Sequence, residues 1–142
     1  MKMLIIHGPN LNLLGHRKPE IYGNQTLDQL NQKIKNHFPE LELEFFQSNH
    51  EGELIDKIHQ AMEVFDGIVL NAGALTHYSY SLRDAIEACH IPVVEVHLSN
   101  IAGREGFRRE SVISEVCLGT ISGFGVTSYL LGVQALKEHL KH

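Results

Sequence analysis

Cysteine is scarce: Cys89 and Cys117 are the only two in 142 residues, far apart and each in an apolar context. That leaves no disulfide framework and no Cys-x-x-Cys, and points to reduced thiols of a cytoplasmic protein. Long apolar runs are missing as well. Apolar residues make up 43% of the chain, yet no run approaches the roughly 20 residues that cross a bilayer. Met1-Lys2 opens directly into a strand-like segment with no small-residue cleavage site, so an export signal is not expected. Nor is there an excess of positive charge. Twelve Lys and Arg against 17 Asp and Glu give a net charge of −5, which argues against general nucleic-acid binding.

Familiar chemical signatures are absent too. No Gly-x-Gly-x-x-Gly follows the first strand, and Gly123-Phe124-Gly125 is a lone, weak echo of one. There is no Gly-x-Ser-x-Gly elbow. His50-Glu51 resembles the start of a zinc-binding helix, but Leu54 stands where the second His belongs. Ten histidines is a high count, expected mostly at the surface and at helix ends, and not by itself a sign of a metal. A phosphate-accepting receiver would need acidic residues after the first strand, and a flavin loop would be rich in Ser, Thr and Gly. This chain offers Gly8-Pro9-Asn10 and an Asn- and Leu-rich loop.

What is present alternates. Leu4-Ile5-Ile6 is a short buried-strand run. Thr26 and Gln29 form a capping box for a helix with Leu27, Leu30, Ile34 and Phe38 on one face. Leu41 to Phe45 alternates strictly, as an edge strand wet on one side does. Ser48 and Glu51 suggest a second capping box, before a helix carrying Leu54, Ile55, Ile58 and Met62. Strands follow at Ile68–Leu70, Val93–Leu98 and Val116–Ser122, with helices over Tyr80–Ala88 and from about Thr127. Strands alternating with helices mean βαβ units and a parallel sheet. The expectation is one domain, residues 1–142, with a five-stranded parallel sheet of order 2-1-3-4-5, a flavodoxin-like α/β three-layer sandwich flanked by helices.

In such folds ligands sit beyond the carboxyl ends of the strands. Those ends carry His7-Gly8-Pro9-Asn10, Asn71-Ala72-Gly73 and His97-Leu98-Ser99-Asn100, a set rich in hydrogen-bonding groups and poor in carboxylates. The loop from Asn10 to Gly23 is long for a compact domain and places Arg17 near Tyr22. A guanidinium beside a phenol favours phenolate, a base. Glu95 and His97, two apart on one strand, share a face. A buried Glu95 needs a partner, either the His97 ring, or a helix terminus or lysine. Thr76-His77 and Asp84 fall at the start of the next helix, and Arg104, Arg108 and Arg109 lie past the fourth strand. Arginines there suit carboxylate or hydroxyl groups of a ligand, or form a solvated cluster with Glu105 and Glu110.

Taken together, these pieces resemble the type II 3-dehydroquinate dehydratases over residues 1 to about 140. The resemblance rests on Gly8-Pro9-Asn10-Leu11-Asn12-Leu13-Leu14-Gly15, Arg17 with Tyr22-Gly23, Asn71 with Thr76-His77, Leu82-Arg83-Asp84, Val94 to Asn100, and Phe107-Arg108. It implies a cofactor-free, metal-free lyase. Such an enzyme reversibly dehydrates 3-dehydroquinate to 3-dehydroshikimate, with anti geometry through an enolate and no imine, in the third step of the shikimate pathway. It implies Tyr22 as the base at C2, Arg17 as the residue favouring its phenolate, His97 as the acid for the departing C1 hydroxyl, and Asn10 holding a water near the enolate. Asn71, Leu98 and Ser99 would bind the carboxylate and ring hydroxyls, with His77 and Arg108 as further hydroxyl contacts. Asp84 would reach in from a neighbouring subunit of a homododecamer, a tetramer of trimers. An ordinary Tyr is only about 0.1% phenolate at pH 7, so the activation of Tyr22 matters. The chain departs from the family pattern at Leu75, where an aromatic is more usual, at the bulky Tyr78 and Tyr80, and at an additional Gly in Gly103–Gly106. These bear on the shape of the pocket, not on the reaction.

Overall fold

The computed structural model describes residues 1–16, 19–22 and 24–141, and the side chains of all of these except Pro19 and Tyr22. Five strands form one all-parallel sheet: β1 (Lys2–His7), β2 (Glu42–Gln47), β3 (Gly67–Asn71), β4 (Val93–His97) and β5 (Gly119–Ser122), ordered 2-1-3-4-5. This is the flavodoxin-like arrangement expected. Helices α2 (Leu27–His37) and α5 (Val126–Leu140) cover one face, and α3 (Glu51–Ala61) and α4 (Tyr80–Ala88) the other. A one-turn helix, α1 (Pro19–Tyr22), lies inside the first crossover.

Alternation along the central strands divides the core in two. Met3, Ile5, Val69, Val94 and Val96 face α2 and α5, packing on Tyr129, Val133 and Leu136. Leu4, Ile6, Ile68, Leu70 and Val93 face α3 and α4, packing on Leu54, Ile58, Leu82 and Ile86. Both faces of β1 and β3 are therefore largely apolar, as parallel strands covered on both sides require, whereas β4 carries Glu95 and His97 on its α3–α4 face. At the sheet edge, β2 alternates: Glu42 and Glu44 are exposed, while Leu43 and Phe45 pack on the α2–α5 core.

Local chemistry explains most element ends. The Thr26–Gln29 capping box forms in both directions, at 3.2 and 2.9 Å, and satisfies two helix-start donors. The second expected box does not form. Ser48 instead accepts from the His50 N–H at 2.9 Å and donates to Glu53, while Glu51 accepts from Ser79 Oγ at 2.5 Å. Tertiary partners at the same sheet end outcompete the local motif. After β3, the helix over Tyr80–Ala88 forms as expected, but Thr76 and His77 do not start it. Residues Gly73–His77 form a separate 3-10 turn, and Ser79, whose Oγ accepts from Leu82 N–H at 3.0 Å, starts α4. The last strand is shorter than expected, because Ser114–Val116 forms a 3-10 turn and only Gly119–Ser122 pairs with β4.

Candidate active site

The C-terminal edge of the sheet is built by close backbone approach. The Gly8 N–H donates to the Asn71 carbonyl at 2.7 Å. A Cβ at Gly8 would lie 2.6 Å from the Ala72 carbonyl, so only glycine lets the first turn press against the third. Asn10 follows with φ of 70°, a left-handed conformation that Asn tolerates, and its N–H donates to Asn49 Oδ1 at 2.9 Å. Gln47 ties this turn down by donating to the Gly8 carbonyl at 3.2 Å and to Asn49 Oδ1 at 3.1 Å.

A small pocket opens at this edge. Asn71, His77, His97, Leu98, Ser99 and Arg108 all line it, so six of the expected site residues converge there. Asn10 does not line it: its neighbours Pro9 and Leu11 do, and Asn10 itself is exposed at the turn. Asp84 is exposed on α4, outside the lining. Arg17 and the side chain of Tyr22 lie outside the described residues. The short α1 that contains Tyr22 belongs to the same crossover, and its Glu20 and Ile21 border a second, more open cavity beside Ser99 and Arg104.

The fourth strand carries the charged centre. Glu95 is fully buried, and its Oε2 meets His97 Nε2 at 2.5 Å. Of the partners left open by the sequence, the ring is the one found. The other oxygen, Oε1, accepts from Ser114 Oγ at 2.5 Å, Ser111 Oγ at 3.2 Å and Thr120 Oγ1 at 3.2 Å. Burial alone would push the Glu95 carboxyl up, but hydrogen bonds from His97, Ser114 and Ser111, with the attraction of the imidazole, hold it below the ordinary carboxylate range. The neighbouring Cys117 thiol is driven the other way, to about 12, by burial and by the Glu95 charge. An anionic acceptor fixes the ring. Nε2 carries its hydrogen toward Glu95, and Nδ1 has no partner among the described residues.

The rest of the lining is a mixture of donors. His77 Nδ1 meets the Glu110 carbonyl at 2.6 Å. Arg104 donates to Ser99 Oγ at 3.2 Å, and Arg108 donates from Nε to Glu105 at 2.9 Å. Arg104 lines the pocket beside Arg108. Arg109 does not, donating instead to the Arg104 carbonyl at 2.8 Å. Two of the three arginines past β4 thus line the pocket. Ser111, Ser114 and Thr120 gave no signal beyond being small polar residues ahead of or within the last strand. Only the fold brings them under Glu95. Among the described residues, no lysine lines this pocket and no cluster of metal-binding side chains occurs.

The sheet order, with a polar pocket over the ends of β1, β3 and β4, defines a flavodoxin-like α/β protein whose ligand site is a cradle of amide, imidazole and guanidinium donors. The model of the family described as dehydroquinase class II matches residues 1–137, and the chain belongs to that family. It is similar to 3-dehydroquinate dehydratases of Pelodictyon phaeoclathratiforme and Chlorobaculum tepidum. The first is 60% identical over 96% of this chain and 91% of that one, the second 60% over 94% and 92%. Its structure is similar to the type II dehydroquinase of Butyrivibrio crossotus. The TM-score is 0.94 at 48% identity, covering 96% of this chain and 97% of that one. The type II dehydroquinase of Propionibacterium acnes follows at 0.91 and 38% identity, covering 99% and 97%.

Proposed function

We propose that this member of the class II dehydroquinase family removes water from 3-dehydroquinate through an enolate, with Tyr22 as base and His97 as acid. The observation that carries this reading is the Glu95–His97 pair, whose imidazole lines the pocket. Tyr22, as phenolate beside Arg17, takes the proton from C2, and the electron pair moves into the C3 carbonyl. The enolate then expels the C1 hydroxyl, which leaves as water with a proton from His97. Because Nε2 is held by Glu95, the transferred proton comes from Nδ1, and Glu95 stabilises the imidazolium from which it departs. Asn10 would hold a water near the enolate, a charge that preorganised donors stabilise strongly. Asn71 with Leu98 and Ser99 would bind the carboxylate and ring hydroxyls, and His77 and Arg108 the remaining hydroxyls. Arg104 joins this set, since it too lines the pocket.

No cofactor takes part, and the route runs without an imine, a reading supported by the absence of lysine from the strand ends that form the pocket. The reaction is reversible and is the third step of the shikimate pathway, carried out in the cytoplasm. Asp84 would complete a neighbouring subunit's site in a dodecamer of four trimers. The large exposed side chains Tyr78, Tyr80, Phe107 and Phe124 support extensive contacts between subunits.

The test mixes metal-free protein with 3-dehydroquinate and follows the ultraviolet absorbance of the conjugated enone. A rise that survives borohydride treatment in the presence of substrate is expected. Tyr22→Phe should abolish turnover while ligand binding persists. A Tyr22→Phe enzyme with near-normal kcat would overturn the assignment of the base.

A further inference from the structure

Beneath the pocket, on the sheet face opposite Glu95, runs a polar chain of which the proposed chemistry uses only Asn71. His7 and Asn71 are Cα partners across β1 and β3, so their side chains leave the sheet side by side toward α5. There they meet Tyr129, in the first turns of α5 and fully buried. His7 Nδ1 lies 2.9 Å from the Tyr129 hydroxyl, and Nε2 lies 2.7 Å from Asn31 Oδ1 on α2. The hydroxyl's other polar neighbour is the Asn71 amide.

We propose that His7 and Tyr129 are positioning residues that set the amide of Asn71, so that its nitrogen presents a hydrogen-bond donor to an oxyanion or hydroxyl of the ligand. This rests on the reading that Asn71 contacts the substrate.

The direction of each bond follows from what its atoms can do. Asn31 Oδ1 only accepts, so Nε2 of His7 carries the ring hydrogen and Nδ1 must accept. The Tyr129 hydroxyl therefore donates to Nδ1 and turns its lone pairs toward Asn71. Asn71 Oδ1 is already taken by the Gly73 N–H at 3.1 Å. Its NH₂ is thus the end that faces Tyr129, with one hydrogen on the hydroxyl oxygen and the other free for the pocket that Asn71 lines. The reverse wiring, with Nδ1 donating, would aim the hydroxyl's hydrogen at the NH₂ and drive the amide to flip. Burial favours the neutral ring that the first wiring needs, pushing His7 down to about 4.

The test is steady-state kinetics with 3-dehydroquinate on Tyr129→Phe, Asn71→Ala, the double variant and Asn31→Ala, each with its melting temperature. Tyr129→Phe should raise KM about tenfold, the loss of one neutral hydrogen bond's worth of binding, with kcat within about threefold of wild type. Asn71→Ala should raise KM at least as much, and the double variant no further, because both act through one amide. Asn31→Ala, on a half-buried helix position where Ala is well tolerated, should raise KM about threefold by releasing the His7 tautomer. Should Tyr129→Phe fail to fold, this last variant carries the test. The proposal is overturned if Tyr129→Phe and Asn31→Ala lower the melting temperature but leave KM unchanged, or if the double variant is additive. An Asn71→Ala enzyme with normal KM would instead remove the substrate contact itself, and the proposal with it.

Discussion

On the α2–α5 face the sheet ends in a neutral chain, Asn31–His7–Tyr129–Asn71, while on the α3–α4 face it ends in an ionic cluster, Glu95 with His97 and three hydroxyls. His7, Tyr129 and Asn71 on one side, and Glu95 and His97 on the other, are buried, and each set delivers one side chain to the same pocket. The neutral chain has a donor and an acceptor at each link, so it needs no charge and holds its His deprotonated. The ionic cluster has a carboxylate that must be matched, and four donors converge on its two oxygens. On the proposed mechanism, the neutral chain serves where only orientation is needed, and the buried charge where a proton would be transferred.

The heaviest blow falls on the ionic side. Glu95→Ala leaves three hydroxyls and an imidazole without their acceptor. It should cost about 3–5 kcal/mol in denaturant unfolding, as removal of one buried ionic partner generally does. Turnover should fall with it, since His97 loses its orientation. A loss under about 1 kcal/mol would show that the cluster is not matched as described.

Next comes the pH dependence of the neutral side. His7 has a folded pKa near 4 against an ordinary 6.5, so the unfolded chain takes up the proton first as pH falls. Stability should therefore drop through the window from 6.5 down to 4, by about 2 kcal/mol between pH 7 and pH 5. The Glu95 contribution is depressed below 4.5 and is lost only beneath that value, so the two faces separate on the pH axis. Urea unfolding of wild type and His7→Asn at pH 7 and 5 checks this, with the slope expected to shrink in the variant.

Ser114→Ala removes the closest hydroxyl on Glu95 Oε1 and should cost about 1–2 kcal/mol. It should also lower the melting temperature and reduce kcat severalfold, measured in the same steady-state assay. Smallest is Thr26→Ala, which breaks the α2 capping box outside both chains, for about 1 kcal/mol and no change in KM or kcat. A kinetic effect there would mean that the two chains are not the parts that matter.

Much of the fold was legible because its signals are local. Apolar runs at Leu4–Ile6 and Ile68–Leu70, the Thr26–Gln29 box and the alternation of β2 each act within a few residues, and each appears as expected. The failures share a cause. Ser48 and Glu51 had the spacing of a capping box, yet Glu53 and Ser79 were better partners once the chain folded. The strand ends pointed to the pocket, but His7, at one of them, turned inward to Tyr129, 122 residues along the chain.

Periodicity, caps and the order of elements were sufficient to determine the parallel sheet and the edge at which Asn71, His77, His97, Leu98, Ser99 and Arg108 gather, because those properties depend on neighbours within one turn or one strand. Which oxygen of Glu95 meets which donor, which two arginines turn inward, and what holds the Asn71 amide were decided only by tertiary structure. These depend on distances between residues far apart in sequence, and hydrogen bonds reward a few tenths of an ångström that no local pattern encodes.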